Sequence, residues 1–359
     1  MTPAQRSEAP DAEITDALAE QVRAASAEHR GLRIVGGDTK GWYGRGTDGE
    51  RLEVSAHRGV IDYDPCELVV TARAGTPLAQ IEALLAANSQ TLAFEPPSFG
   101  PASTIGGVVA AGLTGPARPF AGAARDHLLG VRVLDGRGRA LRFGGTVFKN
   151  VAGFDAFRLM CGAMGTLGVI LDVSIRVTPA PAESRTLTFD LDWPASQTML
   201  TRILRKPYPV DGAFHDGAQL HLRLSGPADG VRAAEREFGG LAGDPRAWRA
   251  VRDMNLPLFG APRIWRLSVP QTARLGDLTG PAVFDWAGSQ CWVATDAPAE
   301  TMRRLATTAG GHATLFRGAG PDEEVFAPLP IQLLDLHKRL KAVFDPAGVF
   351  NPGRLYEGL

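Results

Sequence analysis

The sequence has few cysteines, no excess of charge and no long apolar run. Its 359 residues include three cysteines, Cys66, Cys161 and Cys291, and no CxxC pair, so we expect neither a disulfide framework nor a metal cluster. Lys and Arg number 38 against 39 Asp and Glu, which argues against nucleic-acid binding. The most apolar run, 105–113, is about half a membrane span, and residues 1–11 are polar, so we expect no transmembrane segment and no signal peptide.

Two common nucleotide-binding signatures are also missing. No GxGxxG fingerprint opens a helix, and no GxxxxGK[ST] phosphate loop is present. These absences argue against a nicotinamide or nucleoside-triphosphate enzyme of the corresponding folds. A hydrophobic content of 44% is ample for a folded core, and the length suggests two domains.

The spacing of apolar residues predicts helices and strands that intersperse without a long parallel run, which indicates an α+β fold. Helices are predicted over 15–29, 196–206, 229–238 and 300–308 and from 331 onward. A further helix is predicted to begin with Pro77 at its first position, capped by Thr76. Strands are predicted over 32–35, 68–74, 131–133 with 141–143 as a hairpin, 169–177, 187–191, 220–224 (His221 and Arg223 outward), 264–269, 283–286, 291–294 and 313–316.

A domain boundary is predicted at Pro179 and Pro181. We expect a first domain over 1–180, a smaller α+β cap over 181–330, and a C-terminal segment over 331–359 that returns to the first domain. The first domain would then be discontinuous in sequence.

Three glycine-rich segments, 36–41, 103–115 and 165–168, are the candidate binding elements. Successive small residues let backbone N–H groups converge on an anion without a basic side chain. Hydroxyl donors and a positive charge are available from Thr39, Ser103, Thr104 and Lys40. Together the segments suit a long ligand with a pyrophosphate in its middle. A tight turn between strands is the alternative for each segment taken alone.

Six ordered stretches carry a family resemblance: 32–40, 102–107, 126–136, 149–155, 165–170 and 350–355. With them the chain resembles the vanillyl-alcohol oxidase / p-cresol methylhydroxylase (PCMH-type) superfamily of FAD flavoproteins. Looser matches at 220–226, 265–270 and 312–317 resemble, within it, the smaller FAD-binding subunits of bacterial glycolate oxidases. The resemblance implies a PCMH-type two-subdomain FAD-binding fold over 1–180 with a smaller α+β, ferredoxin-like cap.

The resemblance also implies which residues bind FAD. Backbone at 36–40 would hold the pyrophosphate, the second segment would continue the cradle towards the flavin, 168–170 would flank the adenine, and Asn351 would lie near the flavin ring. The implied cofactor-binding residues are Gly36, Gly37, Asp38, Thr39, Lys40, Pro97, Ser103, Thr104, Gly106, Gly107, Gly112, Gly115, Gly168, Val169, Ile170 and Asn351. Because the first loop has no His, FAD is expected to be non-covalent. Asp38 would repel a pyrophosphate unless its side chain points away.

Catalytic residues are harder to assign. Related 2-hydroxy-acid dehydrogenases carry an HxGDGNxH-like metal-binding run, which is missing here, so no metal site is expected. The seven histidines are isolated in sequence. His312 and His215 are candidate bases, and Arg266 and Arg317 are candidate carboxylate clamps, since Arg binds carboxylates bidentately. Ordinary salt bridges or solvated strand faces are the alternative.

The implied function is that of the FAD-binding subunit of a glycolate (2-hydroxy-acid) oxidase or dehydrogenase complex, which takes part in oxidising glycolate to glyoxylate. In such chemistry a hydride leaves the α-carbon for the flavin while a base takes the hydroxyl proton. The expected partners are a larger FAD-binding 2-hydroxy-acid oxidase subunit and an iron–sulfur subunit, in the cytoplasm or at the inner face of the membrane through these partners. A stand-alone FAD-dependent dehydrogenase or oxidase of another hydroxy acid or sugar alcohol, and a non-catalytic assembly scaffold, remain open.

Overall fold

The structure, a computed structural model, describes residues 11–146, 154–276, 278–320 and 323–359. Most of one stretch that carries the family resemblance, residues 149–153, lies outside the described residues. The other five stretches lie within them.

The strands and helices follow the predicted α+β pattern. The strands are β1 Leu32–Val35, β2 Glu50–Glu53, β3 Val60–Asp64, β4 Val69–Arg73, β5 Gln90–Thr91, β6 Leu128–Leu134, β7 Ala140–Gly144, β8 Val169–Arg176, β9 Thr178–Pro179, β10 Glu183–Phe189, β11 Val210–His215, β12 Leu220–Gly226, β13 Leu241–Ala242, β14 Ile264–Ser268, β15 Ala282–Asp285, β16 Gln290–Ala294 and β17 His312–Arg317. The helices are α1 Asp11–Ala27, α2 Leu78–Ala86, α3 Ile105–Ala111, α4 Arg118–Ala121, α5 Ala124–His127, α6 Trp193–Ile203, α7 Ala228–Phe238, α8 Arg246–Arg252, α9 Ala299–Thr308 and α10 Ile331–Phe344.

The chain divides into two compact units. The first contains Met1–Leu113, Ala123–Pro179 and Pro328–Leu359, and the second contains Thr114–Gly122 and Ala180–Ala327. The first unit therefore combines three separate stretches of chain. Among the described helices, none is long and apolar enough to cross a membrane.

The first unit is built on an antiparallel sheet of order β3-β4-β8-β6-β7. Its central strand β8 has alternating apolar residues, and every residue from Val169 to Ile175 is buried. The predicted hairpin is confirmed, because β6 and β7 pair from Gly130↔Gly144 to Leu134↔Ala140. Asp135 closes its turn by accepting from the N–H of Arg139 at 2.9 Å.

The predicted N-terminal cap of α2 is wrong. The Thr76 hydroxyl donates to the Arg73 carbonyl at 2.6 Å and accepts from the Gly59 N–H at 2.8 Å, so it links two loops instead. Pro77 occupies the N-cap position, and the helix begins at Leu78. The fixed φ of Pro77 still suits the entry to a helix.

Helix α3 lies within the second glycine-rich segment, where no helix was predicted. Two adjacent glycines lower helix propensity by about 1 kcal/mol each, which hides this helix from a pattern analysis. The Thr104 side chain caps it by accepting from the Gly107 N–H at 3.2 Å, and Gly112 ends it in a left-handed conformation, φ 63°. Val108 and Val109 anchor it in the core of the first unit.

The second unit contains a sheet of order β13-β10-β12-β11-β15-β16-β14-β17. When strands β10 to β13 are numbered 1 to 4 along the chain, their order across the sheet is 4-1-3-2. Strands β14 to β17, numbered in the same way, follow the mirrored order 2-3-1-4. Each half has the strand order of a ferredoxin-like motif. The second unit thus contains two halves with this strand order, joined where His215 of β11 pairs with Phe284 of β15.

His221, predicted to face outward from β12, is buried. Its ring stacks on Phe214, with centroids 4.3 Å apart, and its Nε2 lies 2.7 Å from the Asp216 carboxylate. Strand alternation alone did not reveal this site because α8 covers that face, with Trp248 packed edge-on against Phe214.

Candidate cofactor-binding site

All three glycine-rich segments contribute to one cleft in the first unit. It consists of two adjoining cavities, both partly open to solvent. The residues common to the two cavities are Ile34, Gly36, Thr104, Gly107, Ala110, Met164 and Asn351. Because they share these residues, the two cavities form one continuous cleft.

Most of the residues predicted to bind a cofactor line this cleft. These are Gly36, Gly37, Asp38, Thr39, Lys40, Thr104, Gly106, Gly107, Gly168, Ile170 and Asn351. The lining does not include Pro97, Ser103, Gly112, Gly115 or Val169. Roles for these five in cofactor binding remain predictions from the resemblance.

The five residues outside the lining have definite places. Ser103 accepts from Lys40 Nζ at 3.0 Å, Gly112 ends α3, and Val169 is fully buried in β8. Pro97 is buried in the first unit.

Gly115 belongs to the second unit. Its carbonyl accepts from the Trp286 indole N–H at 3.0 Å, and the Arg118 guanidinium stacks on the same indole at 4.3 Å. Within the second unit, these contacts fix the segment that contains Gly115.

The first glycine-rich loop offers a run of unused backbone donors. Within the part of the chain that the structure describes, the N–H groups of residues 36–40 donate no hydrogen bond to protein atoms, whereas the next one, Gly41 N–H, donates to the Asp38 carbonyl. All five residues line the cleft. Consecutive N–H groups of this kind form an anion-binding concavity.

Arg354 fixes the second half of this loop. Its guanidinium donates to the carbonyls of Lys40, Gly41, Tyr43 and Arg45, at 2.6 to 3.2 Å. Burial, together with the nearby Arg33 charge, lowers the pKa of this guanidinium. No sequence pattern singled out Arg354, although it lies in the matching stretch 350–355.

The Asp38 carboxylate does not stand unpaired beside these donors. Arg33 Nη2 donates to both of its oxygens, at 2.8 and 2.7 Å, and Arg51 lies 3.6 Å away. Asp38 itself has a left-handed backbone, φ 52°. The repulsion expected between Asp38 and a bound anion is therefore largely cancelled by Arg33, whose role the sequence pattern did not reveal.

Lys40 is a cation of the cleft that has no acidic partner among the described residues. Its Nζ lies 3.0 Å from the Ser103 hydroxyl, 3.3 Å from the Thr39 hydroxyl and 5.6 Å from the centre of the Phe99 ring. No ion pair joins it to a carboxylate among the described residues. Burial lowers the pKa of Lys40 to about 8.

The second glycine-rich segment does not provide the predicted nest of free amides. The N–H groups of Ile105 and Gly106 donate to the carbonyls of Thr76 and Ala74, both at 2.9 Å. The Gly107 N–H is held by the Thr104 side chain. The prediction is wrong for these three amides, because the segment folds as a capped helix that uses them.

The small residues of this helix matter by their size. A Cβ on Gly106 would lie 2.5 Å from the Ala74 Cβ, so this glycine lets α3 approach β4. A Cβ on Gly107 would meet only the Thr104 hydroxyl, at 3.2 Å, and Gly107 lines both cavities. The absence of a side chain at Gly107 therefore keeps this part of the cleft open.

Asn351 ties the C-terminal segment to the cleft. Its side-chain oxygen accepts from the Ile34 N–H at 2.8 Å, and its amide nitrogen donates to the Met164 carbonyl at 2.6 Å. Asn351 has φ 39°, a conformation that Asn tolerates better than most residues. It joins β1, the third glycine-rich segment and the chain terminus.

A buried ion pair holds the same segment from behind. Lys341 Nζ donates to the Asp345 carboxylate at 2.8 Å and to the carbonyls of Thr166 and Phe350 at 2.9 and 3.0 Å. Asp345 in turn accepts from the Phe350 N–H at 2.7 Å. The Lys341 ammonium thus has three hydrogen-bond acceptors and holds the segment that leads to Asn351 in place.

The four catalytic candidates lie in the second unit, and none of them lines the cleft. His215 is buried, and its Nδ1 accepts from the Gly217 N–H at 3.1 Å while Nε2 donates to the Leu191 carbonyl at 2.9 Å. Both ring nitrogens are therefore hydrogen-bonded to backbone groups. His215 lies beside a separate depression that Trp193 and Phe284 also line.

The other three candidates lie on or next to β14. His312 begins β17 and is exposed, and partial desolvation with the Arg266 charge lowers its pKa. Arg266 pairs with Thr314 in register, and Arg317 donates to the Phe259 carbonyl. His312, on the edge strand β17, lies near Arg266 on the neighbouring strand β14, while Arg317 is bonded to the Phe259 carbonyl.

No group of three or more metal-ligating side chains converges within the described residues. The three cysteines are free thiols. Burial raises the pKa of the Cys161 thiol to about 11, and it raises that of Cys291 further. Neither thiol is therefore a reactive thiolate near neutral pH.

The comparisons with known proteins agree with the chemistry of the cleft. The sequence model of the family described as "FAD binding domain" matches residues 12–144. The chain is 42% identical over 350 residues to the glycolate oxidase subunit GlcE of Escherichia coli (strain K12), which covers 97% of this chain and 99% of that protein. The chain belongs to the GlcE family. The predicted FAD cofactor and the predicted membership of this FAD oxidoreductase family are confirmed.

Other relatives place the GlcE family within a wider group. The glycolate oxidase subunit GlcD of Bacillus subtilis (strain 168) is 30% identical over 164 residues, or 45% of this chain and 34% of that protein. The solved structure of an alkyldihydroxyacetonephosphate synthase aligns with TM-score 0.66 at 14% identity, over 94% of this chain and 74% of that one. The predicted PCMH-type α+β fold is confirmed for this GlcE-family chain.

Proposed function

We propose that the chain is the GlcE-type subunit of a glycolate oxidase complex and that it binds FAD in the cleft between β1, α3 and the C-terminal segment. The observation that carries the proposal is the match to GlcE over 97% of the chain, joined to a cleft with five unused backbone donors. In this proposal the described residues of the first unit, with the Pro328–Leu359 segment, form the FAD-binding domain, and the second unit is the cap.

The residues present fit FAD. The amides of 36–40 and the Lys40 ammonium would hold the pyrophosphate, and Gly107 leaves space beside it. When bound, FAD would accept a hydride from the 2-hydroxy acid and could pass the two electrons on one at a time. Among the described lining residues there is no His, Cys or Tyr, which supports a non-covalent FAD.

The complex would include a larger FAD-binding subunit and an iron–sulfur subunit. The GlcE relative is named as a subunit of glycolate oxidase, which supports a multi-subunit enzyme. The similarity to a second subunit, GlcD, supports a larger flavoprotein as one of the partners. This chain has no cysteine set for a cluster, so the electrons would leave through a partner. We propose a cytoplasmic complex that reaches the inner face of the membrane only through its partners.

The test is reconstitution. The chain is expressed alone and together with its sister subunits, and glycolate oxidation is followed with an artificial electron acceptor. We expect FAD to co-purify with the chain and glycolate turnover to require the assembled complex. Robust turnover of glycolate by the chain alone favours a stand-alone enzyme, and assembly without any bound flavin favours the scaffold.

A further inference from the structure

Lys40 differs from the other cations around the cleft. Arg33 is paired with Asp38, Arg51 contacts both Asp38 and Glu53, and Arg354 is bonded to four carbonyls. The Lys40 ammonium faces two hydroxyls and one aromatic ring, and within the described residues it has no ion-pair partner. An ammonium held without a counter-ion in a partly buried cleft is costly unless an anion joins it.

We propose that Lys40 is the counter-ion of the FAD pyrophosphate and that the Lys40 side chain takes up a proton when FAD binds. The inference rests on the proposed function, because it takes FAD as the ligand of the cleft. It goes further by assigning the counter-charge supplied by the first glycine-rich loop to one residue, beside the Arg354 guanidinium that is bonded to carbonyls. The amides supply dipoles, and Lys40 supplies the only full charge of the loop that is not already neutralised among the described residues.

The surroundings of Lys40 determine whether FAD binding takes up or releases a proton. Burial alone depresses its pKa, to about 8, and no charged group adds to that effect. The Asp38 carboxylate is committed to Arg33, and Thr39, Ser103 and Phe99 carry no titrating proton in this pH range. A dianion beside the ammonium favours its charged form. Above pH 8, we therefore expect FAD binding to be accompanied by proton uptake at Lys40.

The consequence is a pH-dependent affinity. If Lys40 stays charged in the complex, the Kd for FAD rises about tenfold between pH 7 and pH 9. Calorimetry in buffers of different ionisation enthalpy measures the same effect directly. At pH 8.5 about 0.8 proton is taken up per FAD bound.

Two variants isolate Lys40. Lys40→Met removes the charge, so we expect a weaker Kd that no longer changes between pH 7 and pH 9, and no proton uptake. Lys40→Arg keeps a charge at every pH tested, so we expect a Kd closer to that of the native chain and an equally flat profile. Lys338→Met, on the exposed side of α10, is the matched control and should keep the native slope.

The experiment titrates the full apo chain with FAD and follows the quenching of flavin fluorescence. A Kd that is constant from pH 7 to pH 9 in the native chain, or a slope that survives in Lys40→Met, overturns the inference while leaving the proposed function intact. Absence of FAD binding at every pH overturns the proposed function itself.

Discussion

The Arg33 guanidinium donates to both carboxylate oxygens of Asp38, at 2.8 and 2.7 Å, at the rim of the cofactor cleft. If the loop binds the FAD pyrophosphate as proposed, this contact explains how an acidic residue can occupy it. Asp38 occupies a left-handed position that Asp adopts more readily than most residues. Its charge is cancelled by a side chain from β1, five residues earlier.

Removing Arg33 should weaken FAD binding through Asp38. In Arg33→Met the Asp38 carboxylate keeps only the more distant Arg51, 3.6 Å away, and repels the pyrophosphate of the proposed ligand. We expect the Kd for FAD to rise about fivefold, a modest effect because the Arg33–Asp38 pair is partly exposed to solvent. Because Asn tolerates the left-handed backbone, Arg33→Met combined with Asp38→Asn should recover most of the loss. If the double variant binds FAD as weakly as Arg33→Met, Arg33 contacts the ligand itself and the screening role is wrong.

The two glycines of α3 should respond in opposite ways to alanine. Gly107→Ala places a methyl group in the cleft but favours the helix, so FAD affinity should fall while the melting temperature of the apo chain stays level or rises. Gly106→Ala forces a methyl group against Ala74, so it should lower the melting temperature. Equal effects of the two substitutions on apo stability would contradict this assignment.

Lys341 should be essential for the stability of the first unit. Lys341→Met leaves the buried Asp345 carboxylate without its cation, and we expect a loss of about 3–5 kcal/mol in the free energy of unfolding. Combining it with Asp345→Asn removes the unpaired charge and should restore part of that loss. Urea denaturation of the apo chain measures both. A loss below about 1 kcal/mol in Lys341→Met would show that the pair does not anchor the C-terminal segment.

The second unit should lose stability in acid through Asp216. Burial raises the pKa of this carboxyl, but the bonds from His221 and from the Gln219 and Ala218 N–H groups outweigh it and hold the pKa below the ordinary value of 3.8. A depressed pKa in the folded state contributes stability above pH 3.8 that is lost as the pH falls.

Asp216→Asn tests that contribution. It should reduce the fall in melting temperature between pH 5 and pH 3, with Asp229→Asn on exposed α7 as the control. If the melting temperature of Asp216→Asn falls as much between pH 5 and pH 3 as that of the native chain, Asp216 does not contribute to the loss of stability in acid.

The sequence predicted the regular elements where apolar alternation was strong. Strand β1 was predicted with its observed bounds, and β8 was predicted within one residue at its C-terminal end. Helix α3 was missed because its two glycines and its alanines lack the usual amphipathic pattern. The buried orientation of His221 was missed because it depends on α8, which packs on it from a later part of the chain.

The site was predictable in its glycine loops but not in its supporting charges. Small residues at 36–41 and 103–107 carry a local signal, and the structure places both on one cleft. Arg33 and Arg354 have no such signal, because their roles depend on bonds to Asp38 and to carbonyls more than 300 positions away in sequence. The Arg354 contacts exist only once the C-terminal segment has docked, whereas the Arg33–Asp38 contact is local and depends on the left-handed backbone at Asp38.

The most direct test of the account is titration of the purified apo chain with FAD at pH 7. We predict saturable quenching of flavin fluorescence at one FAD per chain, clearly weakened in Gly107→Ala and unaffected in Lys338→Met. A chain that folds but binds no FAD, or one whose FAD binding is the same in Gly107→Ala, would contradict the placement of the cofactor in this cleft.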